Sequence, residues 1–224
     1  MSDVGRLAEV ARERSQVYWF LSTFYTTRPD ARFFADLAGR VATLKAAGTD
    51  SAGEGLNHLR SALDEPDAGR LAERLTVEYT RLFRGLSADY GPPPPYESLY
   101  RGSQLMGEVT AAVMARYADA GFGVIDEDLG PQDHIGAELK FMALLCHDEN
   151  SAWERADHDA AVRKRNLQRR FLAEHLLRWV PAYCQRIQEE SVERFYIGAT
   201  MLTEHAVIAD NEVLGDLLMT TRTE

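Results

Sequence analysis

Cysteine and positive charge are scarce in this sequence, and each shortage argues against a class of protein. Cys146 and Cys184 are the only cysteines among 224 residues, and their spacing supports neither a disulfide framework nor a four-cysteine metal site. Lysine and arginine number 25 against 35 aspartates and glutamates, which gives a formal net charge of −10. Because nucleic-acid binders depend on clustered lysine and arginine, this charge favours basic partners instead.

Long apolar runs are missing as well. No uncharged apolar stretch approaches the roughly 18 residues that can span a bilayer. The first residues carry scattered charges without an apolar core, so we expect no signal peptide there and a cytoplasmic protein. The sequence also has no glycine-rich phosphate loop, no G-x-S-x-G elbow and no Glu-x-x-His pair.

The alternation of apolar and polar residues that is typical of strands does not occur over strand length anywhere in the chain. Apolar residues instead recur at spacings of three and four, which predicts an all-α protein. The predicted helix starts are Asp3, Pro29, Ala68, Ser103, Asp133 and a Ser151–Glu154 capping box, the predicted loop is Gly48–Gly55, and the predicted bend or end is Pro181.

Four consecutive prolines in GPPPPYES, Gly91 to Ser98, interrupt the helical pattern. Consecutive prolines favour the extended polyproline II form and disfavour helix before each of them. We therefore expect a stiff strap between two helical lobes. The predicted divisions are an N-terminal helical lobe at 1–90, a proline-rich strap at 91–102 and a C-terminal helical lobe at 103–224.

Polar residues are densest in PQDHIGAELKFM, Pro131 to Met142. If Asp133 caps the helix, His134 and Glu138 lie about one turn apart and could face the same side. A metal pair is one interpretation, and a capped helix with a polar edge is the plainer one, since two residues are far short of a ligand set. The basic run RKRNLQRR, Arg163 to Arg170, could hold a phosphate, although such runs are more often a solvated helix face.

An adjacent His147–Asp148 doublet raises a second possibility, a metal-dependent phosphohydrolase of the HD type. Such a site needs an upstream histidine and a downstream aspartate, for which His134 and Asp210 are available. The doublet lies in CHDENS, where a helix is predicted to end and polar residues are expected without any metal. The HD-like hydrolase therefore stays as the alternative function.

Four stretches together resemble the TorD/DmsD-like family of redox-enzyme maturation chaperones. In order along the chain they are EYTRLFRG (Glu78 to Gly85), PPYESLY (Pro94 to Tyr100), PQDHIGAELKFM and FLAEHLLRWVP (Phe171 to Pro181). The resemblance implies an all-helical, non-enzymatic, cytoplasmic chaperone. It would bind the N-terminal leader, of twin-arginine type, of a molybdenum-containing oxidoreductase catalytic subunit and assist its cofactor insertion, assembly and timed export.

The resemblance also implies which residues carry this function. The peptide site would use Tyr79, Leu82, Phe83, Pro131, Asp133 and His134, although the aromatic stripe at Tyr79 by itself predicts core packing. No metal and no permanent cofactor are expected, whereas transient binding of a molybdenum cofactor or nucleotide is left open. The client enzyme and the choice between monomer and swapped dimer are open too. The residues expected to secure the strap are Pro94, Pro95, Glu97, Tyr100 and Glu138.

Overall fold

A computed structural model describes residues 3–44, 51–84 and 91–220 of the protein. Within these ranges the chain is almost entirely helical and has no strand, which confirms the all-α prediction. The nearest feature to a sheet is one isolated antiparallel bridge between Tyr96 and His134. The helices are α1 (Asp3–Thr26), α2 (Ala31–Thr43), α3 (Ser51–Leu63), α4 (Ala68–Phe83), α5 (Glu97–Tyr100), α6 (Glu108–Asp119), α7 (Ile135–Glu154), α8 (His158–Phe171), α9 (Leu177–Glu190) and α10 (Arg194–Thr220).

Aspartate caps set the start of three helices. The side chains of Asp30, Asp67 and Asp157 accept hydrogen bonds from the backbone N–H three residues later, at 2.7, 2.9 and 3.0 Å. Such a bond satisfies one of the free N–H groups of a first helical turn. The predicted start of the second helix at Pro29 was therefore two residues too early, because Asp30 is the cap and Ala31 the first helical residue.

Three other predicted helix boundaries also differ from the structure. α3 begins at Ser51, inside the predicted loop, and the rest of that loop and the predicted stop at Gly85 lie outside the described residues. Ser103 does not cap a helix, since α6 begins only at Glu108. The predicted Ser151–Glu154 capping box is the last turn of α7, whose long buried side carries the helix past the polar CHDENS stretch.

Pro181 lies inside α9 and does not end it. A π-helical segment at Leu172–Leu176 directly precedes α9. The backbone bond that Pro181 cannot make would go to the carbonyl of Leu177, where the π register changes to the α register. The missing bond thus falls at a junction where the hydrogen-bond pattern already changes.

Two compact units divide the chain, and both are discontinuous in sequence. Unit 1 consists of Met1–Thr23, Tyr96–Trp179 and Val207–Glu224, and unit 2 of Phe24–Pro95 and Val180–Ala206. One division falls between Pro95 and Tyr96, inside the predicted strap. The other divisions fall within α1, α9 and α10, so the units differ from the contiguous lobes at 1–90 and 103–224 that the sequence predicted.

Each unit has its own aromatic core. In unit 2, the ring of Phe34 packs edge-on against Phe195 at 5.4 Å, and Phe83 against Tyr196 at 5.3 Å. In unit 1, the Phe141 ring lies 4.4 Å from that of Tyr117 and 4.8 Å from that of Phe171. Such aromatic pairs contribute more to stability than the area that they bury would predict.

No helix among the described residues is long and apolar enough to cross a membrane.

Candidate functional site

Asp133 is a buried acceptor that fastens the end of the proline strap. Its Oδ2 accepts the backbone N–H of Ser98 at 3.0 Å, and its Oδ1 accepts the hydroxyl of Thr110 at 2.9 Å. Its backbone carbonyl accepts the N–H of Glu97 at 2.8 Å. Asp133 therefore joins the start of α5, α6 and the loop before α7, and the prediction that it caps a helix was wrong.

His134 is the residue that caps α7. Its Nδ1 accepts the backbone N–H of Gly136 at 3.0 Å, which leaves the proton of the neutral ring on Nε2. The imidazole also packs edge-on against the ring of Tyr96, with centroids 5.1 Å apart. A cap one position later than predicted frees the Asp133 carboxylate to bind the strap.

Glu97 is buried at the first position of α5. Its Oε1 accepts from Arg101 at 2.5 Å, and its Oε2 lies 2.8 Å from Nδ1 of His175. His175 stands on the π-helical segment, with its ring stacked on Phe171 at 4.8 Å between centroids. The carboxylate thus connects the second half of the strap to the segment that precedes α9.

Glu138 lies next to this group and is also fully buried. Burial and the nearby charge of Glu97 raise the pKa of its carboxyl well above the usual range. Its Oε2 accepts the indole N–H of Trp179 at 3.1 Å, and a proton on the carboxyl can be donated to Glu97. The Tyr100 ring lies 5.7 Å from that of Trp179. Glu97 and Tyr100 thus lie in the helical second half of the strap, and Glu138 lies beside it.

The prolines themselves are not helical, as predicted, and Pro95 is buried while Pro94 is half-buried. At the start of the strap, Gly91 is pressed against the chain. A Cβ at this position would lie 2.3 Å from the backbone carbonyl oxygen of Arg81, closer than any side chain tolerates. Only glycine allows the strap to pass α4 so closely.

Gln132 shapes the loop between α6 and α7. Its Oε1 accepts the N–H of Ile125 at 2.8 Å, and its Nε2 donates to the carbonyls of Asp126 and Gly130, both at 2.9 Å. An ion pair between Lys140 and Asp126 holds the same loop to α7. The side chains of Glu127 and Asp128 are exposed at its tip, whereas Pro131 at its end is half-buried. The loop is thus held by hydrogen bonds and an ion pair, and it presents two exposed carboxylates.

The three aromatic and apolar residues predicted for the peptide site lie in unit 2 and are buried there. Exposure is 7% for Tyr79, 0% for Leu82 and 5% for Phe83. The Tyr79 hydroxyl donates to the backbone carbonyl of Tyr25 at 2.9 Å. In this structure the three side chains form core, the plainer of the two interpretations, and their contact with a peptide stays a prediction.

Glu78, at the start of the same motif, organises the turn before α10. Its carboxylate accepts two bonds from Arg81 at 2.7 Å and the hydroxyl of Ser191 and N–H of Val192 at 3.1 Å. Burial works against the charge, but these donors outweigh it and lower the pKa of Glu78. The described part of the EYTRLFRG motif, which ends at Arg84, thus has structural roles within unit 2.

The residues of the alternative hydrolase site do not come together. His134 caps the start of α7 and His147 lies thirteen residues further along the same helix, a separation of about 20 Å at 1.5 Å per residue. Asp210 is bound by Arg14 and Tyr18, with its Oδ2 at 2.7 Å from the tyrosine hydroxyl. Asp148 pairs with Lys164 at 2.6 Å. Among the described residues, no group of three or more potential ligands could hold a metal ion.

Sequence reasoning missed five members of the buried group around the strap. Ser98 and Thr110 carried no signal, since isolated hydroxyl residues are common in helices and turns. His175 and Trp179 stand four residues apart in FLAEHLLRWVP, a spacing that places two polar ring nitrogens on one helix face and could have suggested buried acid partners. The five missed residues are Ser98, Thr110, Gln132, His175 and Trp179.

Comparison with known sequences identifies relatives of this chain. The family described as "Nitrate reductase delta subunit" matches residues 46–185. Chaperone protein TorD of Vibrio cholerae serotype O1 (strain ATCC 39541 / Classical Ogawa 395 / O395) is 25% identical over 214 residues, which cover 93% of this chain and 95% of the relative. Chlorate reductase assembly chaperone protein of Ideonella dechloratans is 27% identical over 141 residues, covering 63% and 70% respectively.

A solved structure from Archaeoglobus fulgidus, assigned to a redox enzyme maturation protein, has the same fold. It superposes with a TM-score of 0.50 at 21% identity and covers 85% of this chain and 91% of its own. At this identity the likeness supports the all-helical fold and nothing finer.

Proposed function

Because this chain belongs to the nitrate reductase delta subunit family, among its TorD/DmsD-like maturation chaperones, we propose that it binds the N-terminal leader of a molybdenum-containing oxidoreductase catalytic subunit. The observation that carries the proposal is the match to chaperones named TorD over 93% of the chain, and the match to a chlorate reductase assembly chaperone supports the same client class. In this proposal the protein is a non-enzymatic cytoplasmic chaperone. It assists cofactor insertion and assembly and delays export of a twin-arginine leader until the client is complete.

The loop before α7 has the chemistry that such a leader needs. A leader combines arginines with an apolar stretch, so its receptor requires carboxylates beside apolar surface. Glu127 and Asp128 offer exposed carboxylates, and the half-exposed side chains of Ile125, Leu129 and Pro131 lie in the same loop. We assign the arginine contacts to this loop. The basic leader would meet an acidic chain of net charge −10, which also speeds encounter.

Asp133 and His134 act as positioning residues in this proposal. Both are buried, and each is engaged by backbone N–H groups of the strap or of α7. Their role is to hold the loop and the strap in shape, not to touch the leader. Tyr79, Leu82 and Phe83 contact the leader only if α4 opens from the core of unit 2, since all three are buried.

Native co-purification tests the proposed client class. The protein, tagged at one terminus, is isolated from its own cytoplasm, and the bound proteins are identified by mass spectrometry. We expect enrichment of a molybdenum-enzyme catalytic subunit that still carries its leader. The same experiment with the Glu127→Lys/Asp128→Lys variant should lose that subunit. Recovery of no such subunit, or equal recovery with the variant, would contradict the proposal.

A further inference from the structure

An exposed tryptophan lies on α1 in unit 1. The side chain of Trp19 is 49% exposed, whereas the other two tryptophans, Trp153 and Trp179, are buried. Within residues 3–44, 51–84 and 91–220, Trp19 is also the one aromatic residue whose side chain is exposed. Tryptophan is normally covered over most of its large apolar surface. The packing of unit 1 therefore accounts for only about half of this side chain.

Lys140 connects the Trp19 ring to the loop before α7. Its Nζ lies 5.9 Å from the centroid of the ring and also forms an ion pair with the carboxylate of Asp126. A single ammonium group thus separates the ring from Asp126, a gap that about three residues of extended peptide can cross. Trp19 therefore lies beside the loop that carries the exposed carboxylates of Glu127 and Asp128.

The positive charges near the ring already have acidic partners. Lys140 is paired with Asp126, and both of these side chains are largely covered. Arg12 lies two turns before Trp19 on α1 and is paired with Glu9. Because both cations are balanced, they neither attract an acidic ligand to this surface nor set its overall charge.

Unpaired negative charge lies in the adjoining loop. Glu127 and Asp128 form no ion pair with any residue in the ranges that the structure describes. Val124 before them is exposed, and Leu129 after them is half-buried. Apolar residues thus flank the two carboxylates, and the Trp19 ring adds an apolar wall beside them. A ligand that complements this surface has a basic part next to an apolar part.

We propose that Trp19 binds the apolar stretch of the client leader while the loop carboxylates hold its arginines. Because the leader is the ligand, this assignment rests on the function proposed above, and it adds to that function a contact from α1. A leader has a positively charged segment followed by about 7–15 apolar residues, so it needs neighbouring acidic and apolar surfaces. Tryptophan suits the apolar part, because it buries a large rigid surface for little loss of side-chain entropy.

Tryptophan fluorescence tests this contact directly, because Trp19 is the exposed one of the three tryptophans. The probe is a synthetic peptide with two adjacent arginines followed by about 12 apolar, non-aromatic residues. We expect binding of this peptide to the full-length chain to reduce acrylamide quenching at least twofold and to shift the emission to shorter wavelength. A matched peptide with serines in place of the apolar residues should leave both unchanged. Binding of the apolar peptide without protection of Trp19 would overturn the proposal.

Two variants of Trp19 measure how much the contact contributes to affinity. Trp19→Ala should bind the apolar peptide at least fivefold more weakly, and Trp19→Phe, which keeps an aromatic ring, should recover part of the loss. Both variants should bind the serine peptide as wild type does, which a general loss of structure would not allow. The control is Val77→Ala, which shortens a 63% exposed apolar side chain in unit 2 and should leave both affinities unchanged.

The contact of Trp19 and the proposed function fail in different ways. Equal binding of the apolar peptide by wild type and Trp19→Ala would overturn the role of Trp19 and leave leader binding intact. Failure of wild type to bind either peptide would contradict both. Protection of Trp19 by the apolar peptide, together with native co-purification of no molybdenum-enzyme subunit, would uphold the contact and contradict the proposed client.

Discussion

Two buried clusters of carboxylates in unit 1 differ in their balance of charge. The first, the Glu149 cluster, pairs Glu149 and Asp210 with Arg14 and Arg165, so two acids meet two arginines. The second, the strap cluster, gathers Glu97, Asp133 and Glu138 around one arginine and one histidine. The closely packed strap cluster has more acids than bases.

This difference shows that a buried acid can either stabilise the packing of helices through ion pairs or position a segment through hydrogen bonds. In the Glu149 cluster, Arg165 Nε and Gln168 Nε2 donate to the Glu149 carboxylate, both at 2.9 Å, and Arg14 ties α1 to α10. In the strap cluster, Asp133 accepts from two neutral donors, the N–H of Ser98 and the hydroxyl of Thr110. The raised pKa of Glu138 favours the uncharged, protonated form of its carboxyl. The first cluster joins distant helices by charge, and the second fixes the strap by hydrogen bonds.

Glu149→Gln should have the largest effect on stability. It leaves the fully buried guanidinium of Arg165 without a counter-charge, which typically costs about 3–5 kcal/mol. Urea unfolding at neutral pH measures the loss. Glu9→Gln, which removes an exposed partner of Arg12, is the control and should leave the unfolding midpoint unchanged. Equal midpoints for wild type and Glu149→Gln would mean that the cluster does not stabilise unit 1 by charge.

Asp133→Asn should cost about 1 kcal/mol, because an amide oxygen is a weaker acceptor than a carboxylate for the N–H of Ser98 and the Thr110 hydroxyl must turn to accept from the new amide N–H. A helix cap would tolerate the same change, since asparagine caps as well as aspartate. Thermal unfolding therefore separates the two roles of Asp133. Thr110→Val is the matched variant on the other side of the bond, and a melting temperature unchanged by both substitutions would argue against the buried anchor.

Glu138→Gln should alter the pH dependence of stability. Because the pKa of this carboxyl is raised on folding, its contribution to the free energy of unfolding is greatest below about pH 4.5 and is lost as pH rises through the folded pKa. Glutamine can donate to Glu97 and accept from Trp179 without this linkage. We expect the free energy of unfolding of Glu138→Gln to vary less with pH than that of wild type. At mildly alkaline pH the variant should be about 1 kcal/mol more stable, because glutamine keeps its hydrogen bond to Glu97 there. A profile parallel to that of wild type would show that Glu138 is ionised in the fold.

His134→Asn should change stability by only a few tenths of a kcal/mol, because asparagine is an equally good cap for α7. His134→Ala should cost about 1 kcal/mol by comparison, since the N–H of Gly136 loses its acceptor. Thermal unfolding of both variants measures the difference. If asparagine is as damaging as alanine, the packing of the imidazole on Tyr96 matters more than the cap.

The helices and the strap could be predicted from periodicity and proline, but the strap cluster could not. Apolar spacing locates α4 and α10, and Gly91 to Pro95 is non-helical as expected. The cap was placed one residue too early because aspartate is the commoner cap, and only the tertiary bond from Thr110 shows that Asp133 has another task. Arg165 looked solvated for the same reason, since its acid partner lies sixteen residues away on another helix.

Calorimetric titration of a client leader tests the central claim most directly. The twin-arginine leader of the co-purified catalytic subunit is titrated at two salt concentrations into wild type, Glu127→Gln/Asp128→Asn and the matched pair Glu212→Gln/Asp216→Asn on α10. We expect binding to wild type and the α10 pair, with affinity at least tenfold lower for the loop pair and falling as salt rises. Equal affinity for all three proteins, or no binding to wild type, would contradict the claim that this chaperone holds its client by the leader at the loop before α7.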